Sequence, residues 1–281
     1  MPELPEVQAH AERLTDDFAG VELAKFRAIT FTALKTFSPA PESLQGEALD
    51  RVGRRGKYLL LEFPPASFVV HLMQGGRLRP DEKQAAKPRG GQARWTFADG
   101  RALLLTEAGT ERKAGVWVVA GDEAYVMSAP PLDDLGPEAD AADRDTVAEL
   151  LKAHSMRLHG WLRDQRILAG MGRRLANEVC HRARLSPFAT TGKLDDDAVD
   201  RLHAAIGACI AESLAVERER ADMSSSKERP GAVHHREGEA CPTCGDTVRA
   251  VEYSRYTVNY CPTCQTGGKV LADNTTSRFL K

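Results

Sequence analysis

Apolar residues near the start of the chain recur with the period of a helix. Leu4, Val7, Ala11 and Leu14 fall three or four residues apart, so they would share one face of a helix over residues 3–14. Most of the residues between them are polar or charged. The pattern therefore predicts an amphipathic helix whose apolar face packs on a core.

Short apolar runs follow in the first 130 residues, and each has the length of a strand. They are Leu23–Phe31, Tyr58–Phe63, Phe68–Met73, Arg94–Phe97, Arg101–Leu105 and Val116–Val119. Asp99-Gly100 separates two of these runs and indicates a tight hairpin. Residues 83–92 are polar and contain Pro and Gly, which predicts a surface loop. This series of strands predicts an antiparallel sandwich or barrel.

The second half of the chain has mainly helical patterns. Residues 129–145 are rich in Ala, Pro and Asp and are interpreted as a linker. Helices are predicted over residues 146–153, 157–165 and 173–182 and from Asp195 onward, with Asp145 and Asp195 as N-caps. Residues 217–239 are charged and rich in Ser and Gly, which predicts a mobile loop.

Length and composition limit the class of protein. At 281 residues the chain is too long for one small core, so we expect two or three domains. The composition, 42% hydrophobic and 28% charged, is that of an ordinary globular protein. No apolar run approaches the ~20 residues of a membrane span, and no signal peptide precedes the first helix. We therefore expect a cytoplasmic protein without a membrane partner.

The distribution of charge is more informative than the net charge of −2. Seven arginines lie between Arg157 and Arg184 against two acidic residues, which gives this segment a local net charge of +5. Phosphate binding depends on the local field, so the segment is a candidate nucleic-acid surface. The alternative is a solvated helix face.

Four cysteines form two knuckles with the spacing of a metal site. Cys241 and Cys244 make the first Cys-Pro-Thr-Cys motif, and Cys261 and Cys264 make the second, sixteen residues later. This arrangement is a strong signature of a four-thiolate zinc site. Disulfides are the alternative, but they are rare in a cytosolic protein. Four protein ligands leave no position for a catalytic water, so the predicted role of one Zn²⁺ is structural.

The N-terminal Met-Pro-Glu-Leu-Pro-Glu motif offers a nucleophile. Removal of Met1 would leave Pro2 as a free secondary amine, and α-amino groups titrate near pKa ~7.7–8.0. A usable fraction is then uncharged at neutral pH and can attack a sugar carbon to give an iminium, with Glu3 beside it to move protons. The alternative is that Pro2 merely fills the first turn of a helix.

These motifs together resemble the formamidopyrimidine-DNA glycosylase/endonuclease VIII family of base-excision-repair enzymes. Besides the N-terminal motif and the cysteine knuckles, the matching segments are residues 54–61, His71-Leu72, residues 135–138 and residues 162–172. The leucine in Pro-Glu-Leu-Pro-Glu is closer to the formamidopyrimidine branch than to the endonuclease VIII branch.

The resemblance implies an α+β fold with DNA held between domains. Residues 1–130 would form the catalytic N-terminal antiparallel β-sandwich, and residues 131–144 a linker. Residues 145–232 would form the helix–two-turn–helix DNA-binding domain, and residues 233–281 the zinc-ribbon β-hairpin with the C-terminal tail.

The resemblance also assigns catalytic roles. Pro2 would be the nucleophile on C1′ of the damaged nucleotide, and Glu3 the acid that assists opening of the sugar ring. Lys57 would grip a phosphate beside the lesion, although a strand lysine extending toward solvent is the alternative. Arg255 would hold the phosphate at the lesion, but it sits one place earlier relative to Cys261 than the family pattern expects.

Two acidic residues and a set of loop residues complete the predicted site. Glu6 and Glu178 match acidic positions that support the active site. The predicted DNA-binding residues on or near loops are His71, Gln74, Arg112, Lys113 and Arg173.

Four positions depart from the family pattern. Arg173 replaces an Asn that binds phosphate, and Gln74 replaces an intercalating Met, with Met73 adjacent. Lys113-Ala114 replaces an Arg-Phe pair that reads the opposite base, and His159 replaces a helical lysine. A histidine adds positive charge only at lower pH. These departures bear on lesion and opposite-base preference more than on the chemistry.

The resulting functional prediction is a monomeric DNA glycosylase with abasic-site lyase activity. It would remove oxidised or ring-opened purines from damaged double-stranded DNA through a proline Schiff base, followed by β,δ-elimination. One alternative is the same fold acting on oxidised pyrimidines or bulky adducts. Another is a catalytically weak protein that binds damaged DNA.

Overall fold

The computed structural model describes residues 1–109, 111–223, 228, 230–253 and 256–271. These residues form two compact units, the first comprising residues 1–134 with 221–223 and the second residues 135–220 with 224–281. Arg255 and part of the predicted 217–239 loop lie outside the described residues. The predicted boundaries between the N-terminal domain, the linker, the helix–two-turn–helix domain and the zinc hairpin remain a prediction.

The first unit is a β-sandwich preceded by a helix. Its helices are α1 (Leu4–Phe18) and α2 (Glu123–Ser128). Its strands are β1 (Leu23–Ala28), β2 (Arg51–Arg55), β3 (Tyr58–Phe63), β4 (Ala66–His71), β5 (Gly76–Pro80), β6 (Gly91–Phe97), β7 (Ala102–Glu107) and β8 (Gly115–Ala120). They form two antiparallel sheets in the orders β1-β6-β7-β5 and β2-β3-β4-β8. The predicted α+β class with an N-terminal sandwich is confirmed.

Strands β2 and β5 were not predicted from the hydrophobic pattern. Their sequences, Arg-Val-Gly-Arg-Arg and Gly-Arg-Leu-Arg-Pro, contain few apolar residues. Both strands lie at the edge of their sheet. Edge strands tolerate charge and proline because one side of the backbone has no neighbouring strand.

The core of the first unit is aromatic, and α1 closes it. The ring of Phe68 stacks on Phe26 at 5.0 Å and meets Trp95 edge-on at 5.6 Å. The apolar face of α1 joins this core, and the helix packs against β2 and β3. Arg54 on β2 donates from Nε to Oε1 of Gln8 on α1 at 3.0 Å. The start of α1 is therefore fixed to the β2–β3 hairpin side of the sandwich.

The described residues of the second unit form four helices, a β-hairpin and a short final helix. The helices are α3 (Arg144–Ala153), α4 (Leu158–Trp161), α5 (Arg173–Arg182) and α6 (Asp196–Arg218), followed by β9 (Arg249–Tyr253), β10 (Tyr256–Tyr260) and α7 (Pro262–Thr266). Helix α5 packs against α6 and β10. Within the described ranges, no helix is long and apolar enough to span a membrane.

Two helix predictions in this unit need correction. The N-cap of α3 is Asp143, whose side chain accepts from the Thr146 amide, and not Asp145. The predicted helix over residues 157–165 is the single turn α4. Helix α4 ends at Trp161 because the residues after it form a loop held by the Gln165 side chain. This side chain donates to the carbonyls of Arg163 and Met171 and accepts from the Gly170 amide.

Candidate active site and nucleic-acid interface

The proposed nucleophile and its acid lie at the first turn of α1. Pro2 is buried, and Glu3 is the N-cap residue with only 5% of its surface exposed. The Glu3 amide donates to Oε2 of Glu6 at 3.1 Å, and the two residues form a capping box. Glu6 is 1% exposed, so its carboxylate fixes the backbone next to Pro2 and does not face solvent. The structure thus brings Pro2, Glu3 and Glu6 together.

Lys57 lies in a tight turn and not within a strand. Arg55 pairs with Tyr58 across the β2–β3 hairpin, which leaves Gly56 and Lys57 as a two-residue loop. Gly56 takes φ +55°, as the first central position of a type II′ turn requires. Lys57 is only 7% exposed. This burial disfavours the interpretation of Lys57 as a lysine that extends into solvent.

His71 lies beside Lys57 at the end of β4. It pairs with Tyr58 across the strands, and the two rings lie 4.5 Å apart. Burial, helped by the nearby Lys57 charge, lowers the pKa of His71 to about 4, so the imidazole is neutral at pH 7. Its Nδ1 accepts from the Met73 amide at 3.1 Å, which places the proton on Nε2.

Two loops next to His71 carry the other predicted DNA contacts of this unit. Gln74 is exposed in the β4–β5 turn, and Arg112 and Lys113 are exposed between β7 and β8. The turns touch, because the Ala108 amide donates to the Gly75 carbonyl at 3.3 Å. The sequence did not show this contact, because it joins backbone atoms more than thirty residues apart.

Ala114 is buried, so it does not occupy the place of an exposed side chain that could read the opposite base. It is 1% exposed within the sandwich core, and its amide donates to the buried Glu107 carboxylate at 2.7 Å. Lys113 instead pairs with Glu111 at 2.7 Å in solvent. The exposed residues that directly precede Ala114, Glu111 to Lys113, are therefore charged.

Arg173 and Glu178 lie on α5 in the second unit. Arg173 is the first residue of α5 and lines a cavity of about 360 Å³ together with His234, His235 and Tyr256. The Glu178 carboxylate accepts from the amides of residues 232, 233 and 234 at 2.7, 3.1 and 2.8 Å. Glu178 thus anchors the segment that leads to the first cysteine knuckle.

A buried polar network next to this cavity was missed in the sequence. Asn177 is fully buried, and its Nδ2 lies 2.8 Å from Nδ1 of His234. The amide of His235 donates to the Asn259 side chain at 3.1 Å. Hydropathy carries no signal for such groups, because polar side chains are expected at the surface. The network joins α5 to β10.

His159 does not supply charge in place of the family lysine. It is 2% exposed, and burial followed by the Arg163 charge lowers its pKa to about 3. The imidazole is therefore neutral over the physiological range.

The four cysteine sulfurs converge on one point. They lie within 4.8 Å of one another, with Cys241–Cys264 at 3.9 Å and Cys244–Cys261 at 3.4 Å, and none forms a disulfide. Tetrahedral coordination with bonds of about 2.3 Å separates two sulfurs by about 3.8 Å, so the cluster fits a tetrahedral metal.

Cys241 already has the hydrogen bonds of a thiolate. Burial alone would raise its pKa, but bonds from the backbone of Thr243 and Cys244 and from His181 outweigh burial and lower the pKa to about 6. His181 Nε2 on α5 lies 3.3 Å from the Cys241 sulfur.

Comparison with known proteins places the chain in a family. A model of the formamidopyrimidine-DNA glycosylase N-terminal domain matches residues 1–116, and one of the formamidopyrimidine-DNA glycosylase H2TH domain matches residues 135–225. A formamidopyrimidine-DNA glycosylase of Symbiobacterium thermophilum is 31% identical over 280 residues, covering 94% of this chain and 89% of that protein. The chain belongs to the formamidopyrimidine-DNA glycosylase family. The predicted family is thereby confirmed.

Other family members show the same likeness. An uncharacterized formamidopyrimidine-DNA glycosylase-like protein of Mycobacterium tuberculosis is 43% identical over 149 residues, which is 52% of this chain and 94% of that protein. The fold matches Lactococcus lactis formamidopyrimidine-DNA glycosylase bound to abasic-site DNA with a TM-score of 0.81 and 22% identity, over 94% of this chain and 99% of that one. The same enzyme with DNA containing an oxidised pyrimidine gives a TM-score of 0.83 and 23% identity, over 94% and 100%.

Proposed function

We propose that the protein is a base-excision-repair DNA glycosylase with abasic-site lyase activity. Membership of the formamidopyrimidine-DNA glycosylase family supports the activity. The observation that carries the mechanism is the Pro2-Glu3 pair at the start of α1, whose backbone is fixed by Glu6. The proposed substrate is an oxidised or ring-opened purine in double-stranded DNA.

The proposed reaction begins after removal of Met1. The Pro2 nitrogen attacks C1′ as the glycosidic bond breaks, and the proton that the secondary amine loses leaves with the base. Glu3 then protonates O4′ as the C1′–O4′ bond opens, which leaves an iminium between Pro2 and C1′. The iminium makes the C2′ proton acidic. Transfer of this proton to the Glu3 carboxylate expels the 3′ phosphate by β-elimination. Loss of the C4′ proton to solvent then expels the 5′ phosphate by δ-elimination, and water releases Pro2.

Lys57 would hold a phosphate beside the lesion. Lys57 is only 7% exposed in a two-residue turn, so its side chain is already confined and binding an anion would cost little side-chain entropy. The neutral His71 next to it would offer its Nε2–H to the same phosphate. Arg255 is proposed for the same purpose from the family resemblance.

The four-cysteine cluster is proposed to hold one structural Zn²⁺ through Cys241, Cys244, Cys261 and Cys264. When bound, the ion would fix the β9–β10 hairpin, because its binding energy is folding energy for such a piece. Chelation should therefore abolish DNA binding while the sandwich of the first unit stays folded. Unchanged DNA affinity in zinc-free protein would count against this role.

Lesion preference is the open part of the proposal. The Lactococcus enzyme was crystallised with DNA that contains an oxidised pyrimidine. Oxidised pyrimidines are therefore the second candidate class of lesion. The buried Ala114 favours a difference in opposite-base discrimination, because it offers no aromatic wedge, and Gln74 stands where the family has an intercalating Met. A catalytically weak damage-binding protein is the third candidate, motivated by Arg173 and Ala114.

Borohydride trapping tests the proposal. The full chain is incubated with duplexes that carry an abasic site or different lesions, each opposite all four bases, and borohydride reduces any iminium to a stable protein–DNA bond. We expect a covalent band that Pro2→Gly abolishes and that Glu3→Gln slows by about 10²–10⁴-fold. Glu12→Gln is the matched control on α1 and should trap normally.

The outcomes separate the three candidates. A band on purine lesions supports the main proposal, and a band on pyrimidine lesions alone supports the second candidate. No band with any duplex leaves only DNA binding. A native mass that includes Met1 would exclude Pro2 as the nucleophile.

A further inference from the structure

A row of aromatic rings in the second unit ends in an arginine on each side. The Arg157 guanidinium lies 5.4 Å from the ring of Phe188, and Phe188 lies 6.3 Å from Tyr253. Tyr253 stacks on Tyr256 at 4.7 Å with 14° between the ring planes, and Arg163 lies 4.3 Å from the Tyr256 ring. We call these five residues the cation–aromatic row.

Both faces of Tyr256 are already covered. Tyr253 stacks on one face, so the Arg163 guanidinium, at 4.3 Å from the ring centre, occupies the other. A nucleobase therefore has no face of Tyr256 on which to stack. A guanidinium stacked on a ring keeps its in-plane N–H groups for bonding, and these match a phosphate in pairs.

The arginines of the row keep their charge for an outside partner. Within the described part of the chain, neither Arg157 nor Arg163 pairs with a carboxylate. Other arginines of the same unit do so: Arg144 with Asp200, Arg166 with Asp164, Arg182 with Glu212, Arg220 with Glu228 and Arg236 with Glu239. The two arginines of the row thus differ from these five in having no carboxylate partner among the described residues.

The cavity next to the row has the same character. Arg173 lines it together with Tyr253 and Tyr256, and Glu252 is the acidic side chain among its lining residues. The stacked His159 ring, 6.2 Å from Tyr256, is buried and neutral and does not supply charge here. Arg173 at the cavity and Arg163 on Tyr256 are therefore the arginines that bring positive charge to this place.

We propose that the cation–aromatic row is a phosphodiester-binding site, in which Tyr256 holds the Arg163 guanidinium edge-on to a DNA phosphate and Phe188 holds Arg157 in the same way. The proposal rests on the proposed function and adds phosphate contacts that the sequence motifs did not assign. Arg163 belongs to the turn after α4 and Tyr256 to β10, so the site needs both elements folded.

The salt dependence of DNA binding tests the row. Anisotropy of a labelled duplex with a reduced abasic site gives log K against log salt concentration, and each lost phosphate contact flattens this slope by about 0.9. We expect Arg163→Gln to flatten the slope by about one unit and to weaken binding by roughly tenfold on damaged and undamaged duplexes alike. Arg144→Gln removes the same charge from a paired arginine and should leave the slope unchanged.

Variants at Tyr256 separate the phosphate model from base stacking. Tyr256→Phe keeps the ring and should bind as the parent protein does. Tyr256→Leu should flatten the salt-dependence slope as Arg163→Gln does, because the Arg163 guanidinium no longer stacks on a ring. If Tyr256→Leu instead weakens binding with the slope unchanged, the ring stacks on a base and the proposal is overturned.

The remaining outcomes distinguish this proposal from the proposed function. If the parent protein shows a steep salt dependence of DNA binding and Arg163→Gln shows the same slope, the phosphate-binding role of the cation–aromatic row is overturned. The proposed function is not affected by that result. Parent protein with a flat slope and no borohydride adduct overturns the glycosylase proposal itself. Arg163→Lys keeps the positive charge but lacks the planar guanidinium. If this variant binds DNA more weakly with the same slope as the parent protein, the result would support the row even if Arg163→Gln failed to fold.

Discussion

Replacing Glu178 by alanine tests whether this residue is an anchor. Its carboxylate accepts three amides, from residues 232 to 234, and the side chain of Val233 is fully buried with Cys241 and Cys261. At about 1 kcal/mol for each lost bond, Glu178→Ala should lower the free energy of unfolding by about 3 kcal/mol. Because the anchored segment leads to Cys241, the variant should also release bound zinc faster.

The assay is urea unfolding of the zinc-loaded chain, followed by circular dichroism and by a chromophoric chelator. Glu212→Ala is the matched control, because Glu212 binds Arg182 in two 2.7 Å bonds but lies in solvent. Exposed pairs contribute about 0–1 kcal/mol, so this variant should remain near the parent protein. Equal effects of the two substitutions, or normal stability of Glu178→Ala with lost base excision, would refute the anchor role.

Three further predictions follow from single contacts. His181→Phe removes the bond to Cys241, and we expect faster zinc loss to a competing chelator with little change in the fold. Lys57→Met removes a like charge beside His71, so the His71 pKa should rise from about 4 in an NMR titration, yet stay below 6.5 because burial is the larger cause. Ala114→Phe should not restore a wedge but overpack the core and lower stability by about 1–3 kcal/mol in thermal unfolding.

Each of these predictions has a control or a contrary result. His203→Gln alters a histidine on α6 that contacts a backbone carbonyl, and its zinc should be retained. An unchanged His71 titration after Lys57→Met would show that the two charges do not interact. An Ala114→Phe variant with parent-like stability and altered opposite-base preference would contradict the buried position of Ala114.

The sequence predicted the elements that have a strong local signal. Helix α5 is as predicted, α6 begins at the predicted cap Asp195, and the Asp99-Gly100 hairpin joins β6 and β7. The cysteine spacing predicted the cluster because two knuckles require only local turns to bring four sulfurs together. These features depend on residues close in sequence or on a motif with one geometric solution.

The features that were missed depend on tertiary contacts. Edge strands β2 and β5 lack an apolar pattern, and the shortness of α4 follows from side-chain bonds of Gln165. The charge state of His159 is set by burial, which a residue type does not show. Likewise, the pairing of Arg163 with Tyr256 joins residues more than ninety positions apart.

We expect chemistry and lesion choice to depend on different parts of the first unit. Pro2 and Glu3 are positioned by the capping bond from Glu6, whereas Gln74 and Lys113 stand on exposed turns that touch through backbone atoms. We therefore expect changes on those turns to leave the geometry at Pro2 and Glu3 intact. The departures from the family pattern should alter which base is extruded and what stands opposite it, while cleavage of an abasic site, which needs no base recognition, should proceed through the same iminium.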